Sequence, residues 1–428
     1  MSKAVREEHR RTSGGVDVYA YRNEFLHGFH LSLFVRAGSM HEPEDECGIS
    51  HFFEHVAIRN VNRVMNGALY SELDAHGVEF NASTYSEMIQ FYTGGAEKNF
   101  RFAADILMKV LSPISLSAEE IATERARIKA EIRESDERTS LTAFTNERVH
   151  KGTSLARSIT GTVGGVNKIG KCALENFRKN TLTRGNIFFY VTGCVSEEDM
   201  DYLLGLIDSA DIGDGSVNEN LAPVPQDFGK RAREVHVKNA DFTMPRFTFD
   251  LDMSRISIAE ADLVYDILLS GYSSEFFIEL SEKRGLFYDV SGSLERYNNL
   301  GTLSFSFEVK STALYESVEH TVGILRKMKT ELLPDERCMR SAYVDNAYML
   351  LDDARELNFT FAYDNHVMNA GYADISERVK AYAGVTPERI RELCREIFKS
   401  ANLTFTMKGS ARRTDRERIL ALLDGLDA

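Results

Sequence analysis

The residues with the clearest chemical potential form the segment His51-Phe52-Phe53-Glu54-His55. On a helix, His51 and His55 lie one turn apart, about 6 Å along the axis, and on the same face. That spacing suits two imidazole ligands on one metal ion. Glu54 borders the same face and could accept a proton from a water molecule bound to the metal. The order His-x-x-Glu-His inverts the commoner His-Glu-x-x-His metal motif and keeps its three roles.

The same five residues also allow a simpler interpretation, in which two partly buried histidines lie on an amphipathic helix and Glu54 is solvated. A catalytic zinc needs three protein ligands and one open position for water. Many acidic residues could supply the third ligand, and the best candidates are Glu124 and Glu131. They are seven residues apart, so a helix places both on nearly the same face. One could bind the metal while the other holds a histidine, or both could be solvated on a helix dense in charge.

The elements around this segment follow from the pattern of apolar residues. Alternation predicts strands at 15–22 and 29–37, followed by a polar loop from Gly38 to Gly48. In that loop the run from Glu42 to Glu46 is predicted to be solvated, with the alternative that its charge could favour positively charged substrates. Ser50 is predicted to cap the helix that carries His51. Further predicted elements are a helix at 64–76, a strand pair at 78–95, helices at 97–111 and 117–150, and a strand at 186–193.

The chain of 428 residues is long enough for two or more domains. A change of composition between 212 and 229, with Pro223 and Pro225, is typical of an interdomain linker. After it the order of strands and helices restarts, and Glu279-Leu280 before Gly285 echoes Glu72-Leu73 before Gly77. The sequence therefore predicts the α+β class, with homologous domains at 1–214 and 230–428 joined by a linker at 215–229.

Charge and composition exclude several classes of partner. A net charge of -14 argues against nucleic acid and against an anionic membrane surface. No stretch is long and apolar enough for a membrane span, and the first residues do not form a secretory signal. Five scattered cysteines fit reduced thiols better than a disulfide framework. We therefore expect a cytoplasmic protein.

Five stretches of the chain resemble one known family, the pitrilysin or M16 peptidases. Gly48 to His55 is similar to the family's metal signature, and Glu124 to Ile132 follows at the family's spacing, with 75 residues between His55 and Glu131. The resemblance covers about residues 15 to 310, and its subgroup is the short two-domain one that includes mitochondrial processing peptidases and bacterial enzymes. The other similar stretches are the edge strand at 77–84, the Pro-Leu-Gly-Arg-x-Ile-x-Gly stretch at 155–162, and Leu-Arg-Glu-Lys-Arg-Gly-Leu-x-Tyr at 280–288.

The resemblance implies a zinc endopeptidase that acts on extended or unfolded peptides. It implies one zinc ion per chain, bound by His51, His55 and Glu131, with Glu54 as the general base and Glu124 supporting the ligands from behind. It also implies that each domain is a mostly antiparallel sheet packed with helices, and that the two domains form half of a clam-shell chamber.

The implied substrate contacts lie in both halves of the chain. The edge strand Asn81, Ala82, Ser83 and Thr84 would pair with an extended peptide. In the second half the family supplies an arginine and a tyrosine. Tyr288 matches the tyrosine, but Ser281 stands where the arginine is expected.

Three explanations of Ser281 remain open. Arg284, one helical turn further on, could reach the site; a partner subunit could supply the arginine; or the enzyme could be slow or narrow in its specificity. A homodimer is expected because two domains of this size form half of a closed chamber, and a heterodimer with a chain that supplies the Arg-Tyr pair is the lesser alternative. Two other functions stay in contention: a non-catalytic or partner-dependent subunit, and an unrelated α+β binding protein with a chance motif.

Overall fold

The computed structural model describes residues 6–134, 140–224, 233, 242–272, 274–287, 290–331 and 340–427. The chain divides into two compact units. Unit 1 comprises Met1–Glu137, Arg157–Asn220 and Met349–Asp374, and unit 2 comprises Arg138–Ala156, Leu221–Tyr348 and Ile375–Ala428. Residues 225–229 of the predicted linker lie outside the described residues, and the boundaries at 214 and 230 stay a prediction.

Strands and helices alternate through both units, as the α+β prediction requires. The strands are β1 (Glu8–Arg11), β2 (Asp17–Arg22), β3 (Gly28–Val35), β4 (Glu79–Thr84), β5 (Ile89–Ala96), β6 (Ile187–Gly193), β7 (Phe242–Leu251), β8 (Val290–Arg296), β9 (Gly301–Phe307), β10 (Val309–Lys310) and β11 (Leu403–Lys408).

The α-helices were predicted in part, and the helical stretch predicted at 117–150 is two helices. They are α1 (Ile49–Val64), α2 (Leu69–His76), α3 (Phe100–Met108), α4 (Ala118–Glu134), α5 (Leu141–Val149), α6 (Val163–Lys168), α7 (Lys171–Thr181), α8 (Glu197–Ser209), α9 (Ile258–Leu269), α10 (Leu314–Thr330), α11 (Ala354–Phe361), α12 (Ile375–Ala383), α13 (Pro387–Ile397) and α14 (Arg413–Asp424). Within the described ranges, none of these helices has the length and apolar character needed to cross a bilayer.

Unit 1 is built on a six-stranded sheet in the order β1-β2-β6-β3-β5-β4. Its pairs are antiparallel except β2 with β6. The apolar face of α1, with Phe52, Phe53 and Val56, is buried in the core cluster that also contains strand residues such as Leu31 and Phe91. Burying these side chains removes apolar surface from water, which fixes α1 beside the edge strand β4.

A helix from the second half of the sequence packs on β3 and β6 of unit 1. This helix is α11, and its Asn358 is fully buried. Its Oδ1 accepts a hydrogen bond from Ser32 Oγ (2.7 Å), and its Nδ2 donates to the carbonyl oxygen of Tyr190 (2.9 Å). In unit 2 the converse holds, because α5 from the first half packs on β11 and Thr145 Oγ1 meets Thr406 Oγ1 at 2.6 Å. Each sheet is therefore completed by a helix from the other half of the chain.

Unit 2 repeats the strand order of unit 1. Strands β11-β7-β9-β8 form antiparallel pairs in the order of β6-β3-β5-β4, and the short β10 adds to β7. From β3 to the edge strand β4, and from β7 to the edge strand β8, the chain runs through a first helix (α1 or α9), a second helical segment (α2 or Phe277–Glu282) and a glycine. The two glycines, Gly77 (φ 61°) and Gly285 (φ 60°), are both left-handed, a conformation that favours glycine. The predicted duplication is therefore confirmed by the topology.

Candidate metal centre and active site

The start of α1 is set by a residue that the sequence did not suggest. Ser50 was predicted to cap the helix, and this was wrong, because Gly48 is the N-cap and Ser50 lies in the first turn. The cap is supplied by Glu42, whose two carboxylate oxygens accept the backbone N–H groups of Gly48 and Ser50 at 2.8 Å each. Glu42 is only 4% exposed, so the prediction that it is solvated was also wrong. Burial raises the pKa of this carboxyl group, although the backbone donors oppose the change.

A tight backbone contact fixes the same end of α1. A Cβ atom on Gly161 would lie 2.6 Å from the Cα of Gly48, and one on Gly48 would lie 2.8 Å from the Cα of Gly161. Both glycines have positive φ. Arg157 donates hydrogen bonds to the carbonyl oxygens of Glu42 (3.2 Å) and Pro43 (3.3 Å). The 157–161 segment, part of the stretch that resembles the family pattern, thus holds the first turn of α1 in place.

His51, His55 and Glu131 converge between α1 and α4. His51 Nε2 lies 3.6 Å from Glu131 Oε1, and His55 Nε2 lies 3.6 Å from Glu131 Oε2. The imidazole rings are 4.7 Å apart, centre to centre, and steeply inclined to each other at 68°. Among the described residues these three form a group whose donor atoms all lie within 4.8 Å of one another.

The donor set and its spacing fit a zinc ion. Two imidazole nitrogens and one carboxylate oxygen are ligands that zinc prefers. Two ligand atoms about 2.1 Å from one tetrahedral zinc are about 3.4 Å apart, close to the observed 3.6 Å separations. Burial lowers the pKa of His51 to about 4, with a further contribution from His55, so this imidazole is neutral at pH 7 and able to donate its lone pair.

Glu124 faces His55 on the side opposite Glu131. Its Oε2 lies 3.6 Å from His55 Nδ1, and its Oε1 accepts a hydrogen bond from Arg59 (2.5 Å). Burial acts to raise the pKa of Glu124, but the contacts with His55 and Arg59 and the charge of Arg127 outweigh it, so the pKa is lowered. An ionised Glu124 favours the His55 tautomer that carries its proton on Nδ1, which leaves Nε2 free.

Glu54 lies next to the two histidines and bonds to the edge strand. Thr84 Oγ1 donates a hydrogen bond to Glu54 Oε2. Burial raises the pKa of Glu54 and the Glu131 charge adds to this, while the Thr84 bond and His55 act in the opposite direction. A carboxylate whose pKa is raised toward neutrality is a better proton acceptor for general base catalysis near pH 7.

The predicted substrate strand forms β4, at one end of the described strand order of unit 1. It pairs with β5 on one side, with Asn81 opposite Tyr92, Ala82 opposite Phe91, and Ser83 opposite Gln90. No strand within the described ranges pairs with its other edge. Such an edge offers backbone groups to an extended peptide. The Ala82 N–H is meanwhile held by Asn81 Oδ1 at 2.9 Å.

The structure does not test the substrate contacts that were predicted for the second half of the chain. Tyr288 lies outside the described residues. Arg284 belongs to unit 2, where it donates to His320 Nε2 at 2.8 Å and pairs with Glu279 at 3.3 Å. Ser281 lies in a π-helical turn, Phe277–Glu282. The roles of Tyr288 and Arg284 therefore stay predictions.

Comparisons with known proteins point to one family. Residues 19–163 match the model of the family described as insulinase (peptidase family M16), and residues 168–341 match the model described as peptidase M16 inactive domain. Together these matches cover more than half of the chain.

Two relatives and one solved structure illustrate the range of similar proteins. An uncharacterized zinc protease from Rickettsia felis is 23% identical over 414 residues, which cover 92% of this chain and 94% of the relative. A probable mitochondrial-processing peptidase subunit beta from Arabidopsis thaliana is 26% identical over 174 residues, 40% of this chain and 32% of the relative. A crystal structure of a peptidase M16 inactive domain from Pseudomonas fluorescens superposes with a TM-score of 0.83 at 15% identity, covering 95% of this chain and 99% of that one. That likeness concerns the fold alone. The family models, the sequence relatives and the fold agree, and the chain belongs to peptidase family M16.

Proposed function

We propose that this chain is a zinc-dependent endopeptidase that hydrolyses peptide bonds in extended or unfolded peptides. The observation that carries the proposal is the convergence of His51, His55 and Glu131 with Glu54 beside them. These three would hold one zinc ion per chain. When bound, zinc supplies a Lewis acid that makes water a nucleophile near pH 7.

The other residues of the site transfer a proton, orient a zinc ligand and position the peptide. Glu54 takes a proton from the attacking water and passes it to the nitrogen of the leaving amine, and its hydrogen bond from Thr84 keeps the carboxylate in place. Glu124 holds the His55 ring through Nδ1. The peptide adds to the open edge of β4 and is thereby extended across the site.

The first test is metal content together with cleavage. The purified protein is expected to hold about one zinc per chain and to cut members of an unstructured peptide library. A chelator should abolish cleavage, and added zinc should restore it. A zinc-free protein that cleaves, or a zinc-loaded protein that cuts no peptide, would contradict the proposal.

A second candidate function is that of a partner-dependent subunit. Two observations favour it: the Arabidopsis relative is named as a subunit, and Ser281 stands at the position where the resemblance implies an arginine. We propose a homodimer as the active particle, in the cytoplasm, with a heterodimer as the alternative. Light scattering during activity measurements, with and without co-purifying proteins, distinguishes a monomer, a homodimer and a heterodimer.

A further inference from the structure

A polar cleft adjoins the metal centre within unit 1. It has a volume of ≈ 640 Å³ and includes Glu54 and His55 in its lining. The remaining walls come from the C-terminal half of α1, from α2, from Asn81 of β4 and from the first turns of α4. A side chain of a peptide lying on β4 therefore has a space to enter beside the proposed catalytic residues.

Three arginines line this cleft, and their places follow from helix geometry. Arg59 and Arg63 continue, at intervals of four residues, the row on α1 that begins with His51 and His55. Each interval advances about 6 Å along the helix. Arg127 comes from the facing helix α4, one turn before Glu131. Because an extended peptide advances about 3.3 Å per residue, these guanidinium groups lie within reach of residues about two to four positions from the bond that is cut.

Hydrogen bonds to Glu124 engage two of the three arginines, Arg59 and Arg127. Arg59 (2.5 Å) and Arg127 (3.1 Å) both donate to Oε1 of Glu124, and the other oxygen, Oε2, lies 3.6 Å from His55 Nδ1. Glu120, the other carboxylate on the α4 wall, accepts the backbone N–H of Ser117 at 2.8 Å. Arg63 is exposed, and its guanidinium group makes no hydrogen bond or ion pair in the described part of the chain. The pKa of Glu120 is lowered by the Ser117 N–H and, to a smaller extent, by the charge of Arg63.

The charge of the cleft is unlike that of the whole chain. The lining holds three arginines and three carboxylates, Glu54, Glu120 and Glu124, so these charges balance, whereas the chain as a whole carries a net charge of -14. Asn62 and Asn66 add amide groups to the same lining. A planar guanidinium group binds a carboxylate with two parallel hydrogen bonds, which is the strongest form of charge-assisted pair in proteins.

Resting on the proposed peptidase function, we propose that this cleft is a subsite for a carboxylate of the substrate. The carboxylate comes either from an Asp or Glu side chain near the scissile bond or from the free C-terminus of a short peptide. Arg63 is the specificity-determining residue, because Arg59 and Arg127 are already engaged by Glu124. This preference is the reverse of the one predicted from the acidic loop at Glu42 to Glu46.

The experiment uses one peptide that the protein cleaves, with each position within four residues of the cleaved bond replaced in turn by Glu, Gln or Lys. Every peptide is made with a free and with an amidated C-terminus. At one position we expect kcat/KM for Glu to exceed that for Gln by about 10-fold. If instead the free acid exceeds the amide by a similar factor and no internal position discriminates, the carboxylate is that of the C-terminus.

The variant Arg63→Glu should move the preference from Glu to Lys at the same position, or from the free acid to the amide. Arg413→Glu is the matched control, because Arg413 is 92% exposed on α14 of unit 2, and it should keep the wild-type preference. Zinc content and thermal stability show whether both variants are folded.

The failure of this inference and that of the proposed function can be told apart. If peptides are cleaved but neither Glu against Gln nor acid against amide makes a difference, the carboxylate subsite is wrong and the peptidase function stands. If no peptide is cleaved, the peptidase function fails. The subsite is then judged by the affinity of Glu54→Gln protein for fluorescent Glu and Gln peptides, and equal affinities would overturn it.

Discussion

Helices α1 and α9 occupy the same place in the two units, yet only α1 carries histidines that could bind a metal. Each follows an inner strand of its sheet, β3 or β7, and precedes a second helical segment, a left-handed glycine and an edge strand. At the sixth and seventh residues, α1 has Glu54 and His55 where α9 has Leu263 and Val264. Both apolar residues are 0% exposed.

The third residue of each helix shows the same contrast. His51 of α1 faces Glu131, whereas Glu260 of α9 closes a capping box with Ser257 and pairs with Arg389 at 2.7 Å. The comparison shows that the repeated arrangement of strands and helices forms in unit 2 with the apolar Leu263 and Val264 at the positions that Glu54 and His55 occupy in unit 1. The buried polar groups of α1 are therefore not required by the fold, and the zinc ion proposed above would account for their positions.

The largest effect is expected for the metal ligands. His55→Ala should reduce bound zinc from about one per chain to nearly none and remove cleavage, because two remaining ligands bind zinc weakly. The matched change in unit 2, Leu263→Ala, should lower the free energy of unfolding by about 3 kcal/mol through an internal cavity. It should leave zinc content unchanged. Metal analysis and denaturant unfolding of both variants check the pair, and equal zinc loss in both would break the comparison.

Glu124→Gln tests the support behind His55. Loss of the carboxylate weakens the hold on the His55 tautomer, and we expect zinc affinity to fall by roughly 10-fold to 100-fold. The control is Glu198→Gln, since Glu198 is 89% exposed on α8. Competition with a fluorescent chelator measures the affinity. Unchanged affinity in Glu124→Gln would show that Glu124 serves Arg59 and Arg127 alone.

The buried His30 of β3 predicts a dependence of stability on pH. Burial lowers its pKa to about 4, Arg355 adds to the lowering, and Asp353 opposes it. The unfolded chain, with an ordinary pKa near 6.5, binds more protons between pH 6.5 and 4, so protonation favours unfolding in that window. His30→Phe should therefore lose less stability than the wild type as pH falls from 6.5 to 4.5. Thermal unfolding of the zinc-free wild type and variant at several pH values measures this difference. If stability falls with pH at the same rate in both proteins, the lowered pKa of His30 is refuted.

The smallest effect is expected where the two units are most alike. Gly77→Ala and Gly285→Ala both place a Cβ atom on a left-handed residue, and neither Cβ would meet another atom within 4 Å. The cost should be similar, about 1 kcal/mol each, because it is backbone strain alone. Gly161→Ala is the contrast, since its Cβ would also clash with Gly48. Unequal effects at 77 and 285 would weaken the comparison of the units.

Much of the local structure was predictable because it depends on neighbouring residues. The apolar alternation in β2 and β3 and the spacing of His51, Glu54 and His55 are local signals, and both strands and the helix formed where expected. That Glu131 lies near both histidines was predicted from the resemblance to the family, which includes the spacing between His55 and Glu131. The structure adds the distances.

The contacts that were not predicted join residues distant in sequence. Glu42 capping α1 replaces the expected Ser50, because a carboxylate from a preceding loop can satisfy two N–H groups where one hydroxyl satisfies one. Arg59 bonding to Glu124 required the mutual placement of α1 and α4. The packing of α5 on β11 and of α11 on β3 and β6 was not predictable from the local sequence, because each contact joins a helix from one half of the chain to a sheet from the other.

The central claim is that Glu54 transfers the proton in a zinc-dependent hydrolysis, and one variant tests it most directly. Glu54→Gln keeps the size and hydrogen-bonding capacity of the side chain but cannot accept the proton. We predict that it retains about one zinc per chain and the thermal stability of the wild type, and that its kcat falls by at least about 10³-fold. A zinc-loaded Glu54→Gln protein with wild-type kcat would contradict the account.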